Sequence, residues 1–133
     1  MIVGVADTHT AIWYLFNDVR LSKVAASFID DAAAARQRIA VSSVTLAEVV
    51  YLIEKKRLPQ AAYDDLKAAL LDPSHVLKEA PFTIEIVEAM RTVPRDAVPD
   101  MPDRFVAATA VYYGVPAISR DGKIRASCVT TVW

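Results

Sequence analysis

The chain has 133 residues, 54% of them hydrophobic and 23% charged, with only three glycines. That length suits one domain, residues 1–133, around one substantial core, and the composition excludes global disorder, which goes with too little apolar surface to offset ordering entropy. Fifteen basic residues against sixteen acidic ones leave a formal net charge of −1, which excludes a whole-molecule field that attracts nucleic acid or anionic lipid; any polyanion must be held locally.

The apolar run Ile2 to Ala6 predicts a short buried strand that ends at Asp7. Thr8 is the expected cap of the helix that follows, and its segment AIWYLF is apolar on every side, which predicts burial against the sheet and against another surface. Leu21 to Arg36 reads as a second helix capped by Ser22, and Ile39 to Ser43 as a second strand. TLAEVVYLIEKKR, from Thr45, predicts a third helix whose basic end at Lys55, Lys56 and Arg57 suits the negative end of the dipole.

Gln60 to Leu71 predicts a fourth helix stopped near Pro73, HVLKEA a weak third strand, and Ile84 to Met90 another helix. VPRDAVPDMP, residues 93–102, holds three prolines and reads as an ordered functional loop, too short to link domains. The helix beginning in PDMPDRFVAATA closes near Gly114 and is followed by the strand VPAIS, a turn at Asp121 and Gly122, and a last strand CVTTVW. Strands alternating with helices predict an α/β fold: a central, mainly parallel sheet flanked by helices on both faces.

Cys128 has no second cysteine to pair with, and His9 and His75 show no zinc-site spacing. MIVGVAD lacks a basic flank and meets Asp7 too early for a signal peptide, and the longest uncharged run, Phe105 to Ser119, falls short of the ~20 residues of a spanning helix. The expectation is a cytoplasmic chain with no membrane partner.

Ligand sites of open parallel sheets lie at the carboxyl ends of the strands. Asp7 ends the first strand, Glu48 sits in the first turn after the second, and Asp121 lies two residues beyond the strand ending at Ser119. Asp103 joins them if its helix begins at the same edge. Each has a local explanation too: Thr45 and Glu48 form a T-x-x-E capping box, Asp121 precedes a glycine in a turn, and Asp103 faces the positive end of its helix, with Asp100 as cap. Converging carboxylates repel one another unless a divalent cation accepts their oxygens, and an oxygen-only set suits Mg²⁺ or Mn²⁺.

The segments ADTHTAIWYL, SSVTLAEVVYL, PDMPDRFVAATA and VPAISRDGKI resemble, in order, the four acidic blocks of the PIN-domain family, over Val3 to Ile124. In a chain of this size the combination is most similar to VapC-type toxins of toxin–antitoxin pairs. The resemblance implies a parallel-sheet fold, metal-dependent endoribonuclease activity, a homodimer, an RNA substrate and a cognate antitoxin protein. It implies Asp7, Glu48, Asp103 and Asp121 as the catalytic, metal-binding acids, with Thr8, Ser43 and Ser119 as hydroxyl neighbours. Asp100 matches an acid of the D-x-x-D-R variant and ranks as a cap or supporting group.

In that reading Asp7 and Asp103 bind Mg²⁺, Glu48 and Asp121 complete or tune the site, and hydrolysis by a metal-activated water leaves a 5′-phosphate and a 3′-hydroxyl. Arg104, Arg120, Lys123 and Arg125 are candidates to hold flanking phosphates, against an equal expectation of ordinary surface charges. His9 and Trp13 lie one turn apart, a spacing that serves packing as readily as base contact; packing is the expectation for Trp13, and His9 is left open. Two other readings compete: a non-catalytic RNA- or protein-binding module, and a haloacid-dehalogenase-like phosphatase, weakened because His9 stands where that chemistry needs a second acid.

Overall fold

The computed structural model describes residues 1–125 and 129–133. Cys128, the predicted start of the last strand, lies outside them. Five strands, β1 (Ile2–Ala6), β2 (Arg38–Ser42), β3 (Leu77–Ala80), β4 (Ala117–Ile118) and β5 (Thr131–Val132), form one sheet in the order β3-β2-β1-β4-β5. Every pairing is parallel. No neighbouring strands are joined by a hairpin, because parallel neighbours need crossovers, and here those crossovers are helical.

The period of two along each strand divides the core between the faces. Ala6, Val41 and Ile118 point into one cluster with Ile12, Ile29 and Leu66, while Val5, Ala40 and Ala117 point into the other with Val106, Ala107 and Ile124. Helices α1 (Thr8–Leu15), α2 (Lys23–Ala34), α3 (Ser43–Glu54) and α4 (Gln60–Leu71) supply the first face. The loop at Val93 and Val98, α6 (Met101–Tyr113) and α7 (Gly122–Arg125) supply the second, and α5 (Ile84–Met90) packs on α6. A Cβ at Gly4 would stand 3.0 Å from Phe28 Cε1, so the glycine lets an aromatic ring of α2 lie directly on β1.

Helix boundaries depart from the expectations in informative ways. Asp7, not Thr8, caps α1: its Oδ1 accepts from Thr10 N at 2.9 Å. Ser22 caps α2 as expected, accepting from Ala25 N at 3.0 Å. Helix α3 begins two residues before Thr45, capped by Ser42, so the Thr45–Glu48 capping box does not form and Glu48 lies in the second turn. Asp100 occupies the cap position of α6 without a capping side-chain bond. After Asp121, where a plain turn was expected, α7 follows, with Asp121 Oδ1 accepting from Lys123 N at 2.8 Å and Ile124 N at 3.3 Å.

Helices α1, α2 and α3 end on Asn17, Arg36 and Lys56, all left-handed, with φ of 52°, 57° and 58°. In each, the next residue's N–H reaches back five residues, as in Arg57 N to Leu52 O at 2.8 Å. The basic segment after Glu54 therefore lies beyond α3 rather than in its last turn. Within the segment AIWYLF, Ala11, Ile12 and Trp13 are buried in this chain, Tyr14 and Leu15 are partly buried, and Phe16, the C-cap of α1, is exposed. Among the described residues no helix is long and apolar enough to cross a membrane.

Candidate active site at the carboxyl edge of the sheet

The carboxyl end of β1 delivers Asp7 between β2 and β4, and three short-range constraints fix it there. Asp7 N donates to Ile118 O at 3.3 Å, Oδ1 accepts from Thr10 N, and Oδ2 accepts from Ser119 Oγ at 2.5 Å. Ser119 is fully buried, and its Oγ also accepts from Asp121 N at 3.0 Å, so one hydroxyl sets both acids. Thr10 Oγ1 donates to Ile118 O at 2.8 Å and stitches α1 to the end of β4. Thr8 Oγ1 donates to Glu48 Oε1, which orients an acid presented from α3.

Helix α6 begins at the same edge, which settles the direction on which Asp103 depended. Asp7, Glu48, Asp103 and Asp121 line one cleft of about 350 Å³, together with Asp100, Thr8, His9, Trp13 and Arg120. Asp103 is half-buried and its pKa is pushed up to about 7. Loss of water is the main cause, followed by the charges of Asp121 and Asp100, a hydrogen bond with Asp121 and the charge of Asp7. Among the described residues the ion pairs are Arg20–Asp18 and Arg91–Glu88, neither with an acid of the cleft.

Crowded acids without a basic partner make an all-oxygen donor set that suits a hard divalent cation. Among the described residues, no three His, Cys, Asp or Glu side chains stand ready-formed around an ion position. The fit therefore rests on the chemistry of the donors and on the setting of Asp103, raised first by lost hydration and then by the neighbouring acids.

Three expected substrate contacts lie elsewhere. Ser43 Oγ accepts from Phe82 N at 3.0 Å and fastens the connection between β3 and α5. Arg104 Nη2 donates to Met90 O and Val93 O, each at 3.3 Å, because one step along α6 from Asp103 turns the side chain toward α5. Lys123 is exposed on α7 and does not line the cleft. Thr8 and Arg120 line it, and Ser119 supports it from behind.

Thr10 carries no signal in the sequence beyond a hydroxyl near an acid, and its bond to a β4 carbonyl is visible only in the fold. Trp13 is buried, as expected of a packing residue, and its ring stands 5.4 Å from that of His9. Trp13 also borders the cleft, which packing alone does not disclose.

A family model described as PIN domain matches residues 5–128. The ribonuclease VapC22 of Mycobacterium tuberculosis is 26% identical over 125 residues, spanning 94% of this chain and 92% of that protein. A crystal structure of VapBC2 from Rickettsia felis, bound to a DNA fragment from their promoter, superposes with a TM-score of 0.71 at 14% identity, covering 98% of this chain and 97% of that one. A toxin–antitoxin complex from Klebsiella pneumoniae superposes with a TM-score of 0.63 at 22% identity, covering 98% and 96% of the two chains. Both likenesses extend over nearly the whole chain and show the fold.

Proposed function

Because the chain belongs to the PIN-domain family, we propose that it is a metal-dependent endoribonuclease and the toxin of a toxin–antitoxin pair. The observation that carries this reading is the convergence of Asp7, Glu48, Asp103 and Asp121, from four separate elements, on one cleft without a neutralising ion pair. A fold needs no such arrangement for its own stability, since like charges raise its energy. A relative named as a ribonuclease supports the activity, and structural neighbours from toxin–antitoxin complexes support the biological setting.

Asp7 and Asp103 would hold Mg²⁺ or Mn²⁺, with Glu48 and Asp121 completing the set. When bound, the ion lowers the pKa of a water and polarises a phosphate oxygen. The chain's own contribution is to hold the carboxylates in place: Ser119 ties Asp7 to the turn at Asp121, and Thr8 fixes Glu48. Asp103, whose pKa is pushed up to about 7 first by burial and then by the neighbouring acids, would release its proton on binding a cation. His9 lines the cleft two residues after Asp7, so the second acid of an aspartyl-phosphate mechanism is missing, while Glu48 has a place only in the nuclease reading.

An antitoxin partner, a homodimer and a cytoplasmic setting complete the proposal. The dimer is what membership of the family implies. The test is end-mapping of cellular RNA after brief induction, wild type against Asp7→Asn. Asparagine keeps the capping oxygen toward Thr10 N but gives up the bond accepted from Ser119 Oγ, so thermal unfolding of the variant accompanies the test. New RNA ends and growth arrest with wild type only, relieved by a protein encoded beside it, are the expected result; equal ends from both proteins would reject the site.

A further inference from the structure

Among the residues whose side chains are described, which leave out Arg125, Arg120 is the only lysine or arginine that lines the acidic cleft. Five carboxylates border the same space, yet Arg120 pairs with none of them. Its guanidinium instead lies over the indole of Trp13, 4.8 Å from the ring centroid. Trp13 is 5% exposed and therefore fixed by the core, whereas Arg120 is exposed. Arg20 also reaches this ring, at 5.0 Å, but its Nε and Nη2 are already bonded to Asp18 at 3.0 and 2.7 Å.

A guanidinium held over an aromatic ring by cation–π attraction still has N–H groups free for a phosphate. Arg120, over the ring, makes no ion pair with the acids of the cleft. A phosphodiester approaching five carboxylates is repelled unless a cation meets it at the mouth. We propose that Arg120, held over Trp13, takes an RNA phosphate at the mouth of the acidic cleft, with Trp13 as its positioning residue. This rests on the nuclease reading and adds to it the group that admits the strand.

The test uses the Asp7→Asn protein as background, so that binding is read without cleavage, with a fluorescein-labelled mixed-sequence single-stranded RNA over a series of salt concentrations. Arg120→Ala should weaken binding about tenfold, the loss expected for a charge-assisted hydrogen bond. It should also reduce the slope of log affinity against log salt by about 0.7, the value for one phosphate contact on a single strand. Trp13→Phe, which keeps an aromatic ring in the core, should weaken binding less, and that loss should vanish when Arg120 is already alanine.

Unchanged affinity and slope in a folded Arg120→Ala protein would overturn the assignment of Arg120. A Trp13→Phe loss that persists without Arg120 would reduce Trp13 to a structural role and overturn the pairing. RNA binding that follows these expectations in a wild-type background that cuts no RNA would reject the nuclease reading alone. No binding in any variant would reject both.

Discussion

Asp103 carries the electrostatic strain of the site, and the sign of its effect on stability follows from its neighbours. Unfolded, its carboxyl ionises near 3.8; folded, it keeps its proton to about 7, through lost hydration and the facing charges of Asp121, Asp100 and Asp7. Between those values the native state binds more protons than the unfolded chain, so this group's effect is to lower stability as pH rises through the window. In metal-free buffer the thermal midpoint of wild type should fall between about pH 4 and about pH 7 more steeply than that of Asp103→Asn, which becomes the more stable protein above that range. Mg²⁺ should raise the wild-type midpoint more than the variant's. Parallel pH curves for the two proteins would contradict the assignment. Asp7, Glu48 and Asp121 are legible in the sequence because each stands near a predicted strand end. Ser43 and Arg104 are misplaced by the same reading because proximity along a chain does not give side-chain direction: Arg104 is turned about 100° around α6 from Asp103.

Helix ends show what local signals miss. The sequence carries the third helix through Lys55, Lys56 and Arg57, whereas α3 stops at Glu54 and Lys56 turns left-handed with φ of 58°. With three glycines in the whole chain, these ends are made by Asn17, Arg36 and Lys56. A left-handed conformation costs a residue with a Cβ roughly 1 kcal/mol, so Lys56→Gly should stabilise the protein by about 0.5–1 kcal/mol after the larger entropy of an unfolded glycine is counted. Denaturant titration checks this, and a loss of stability would mean that the lysine stem makes compensating contacts. Arg104 binds two carbonyls, Met90 O in the last residue of α5 and Val93 O just beyond, and so pins the start of α6. Arg104→Met keeps most of the apolar stem and should cost about 1–2 kcal/mol in denaturant, as hydrogen bonds from a charged donor do. RNA affinity should change little, whereas a loss with unchanged stability would place Arg104 at the substrate.

Across the molecule, the alternation of short apolar runs with helical periods makes the α/β class legible, because only crossover helices can join parallel neighbours. The strand order β3-β2-β1-β4-β5 is not legible in that way: β4 is two residues long, and its place beside β1 is set by contacts such as Val5 N to Pro116 O at 3.0 Å. That placement brings Asp7 within reach of Ser119 and the turn at Asp121, so the site depends on the pairing of β1 with β4. The apolar character of AIWYLF is explained within the chain for Ala11, Ile12 and Trp13, which α1 buries, whereas Phe16 stays exposed. The most direct test of the account is cleavage of RNA by the purified protein, wild type against Asp7→Asn, with and without Mg²⁺. The account predicts products with 5′-phosphate and 3′-hydroxyl ends from wild type with the ion, none after chelation, and a rate at least about 100-fold lower for Asp7→Asn with its fold intact. Equal cleavage by a folded Asp7→Asn protein, or cleavage by wild type that persists without any divalent ion, would contradict it.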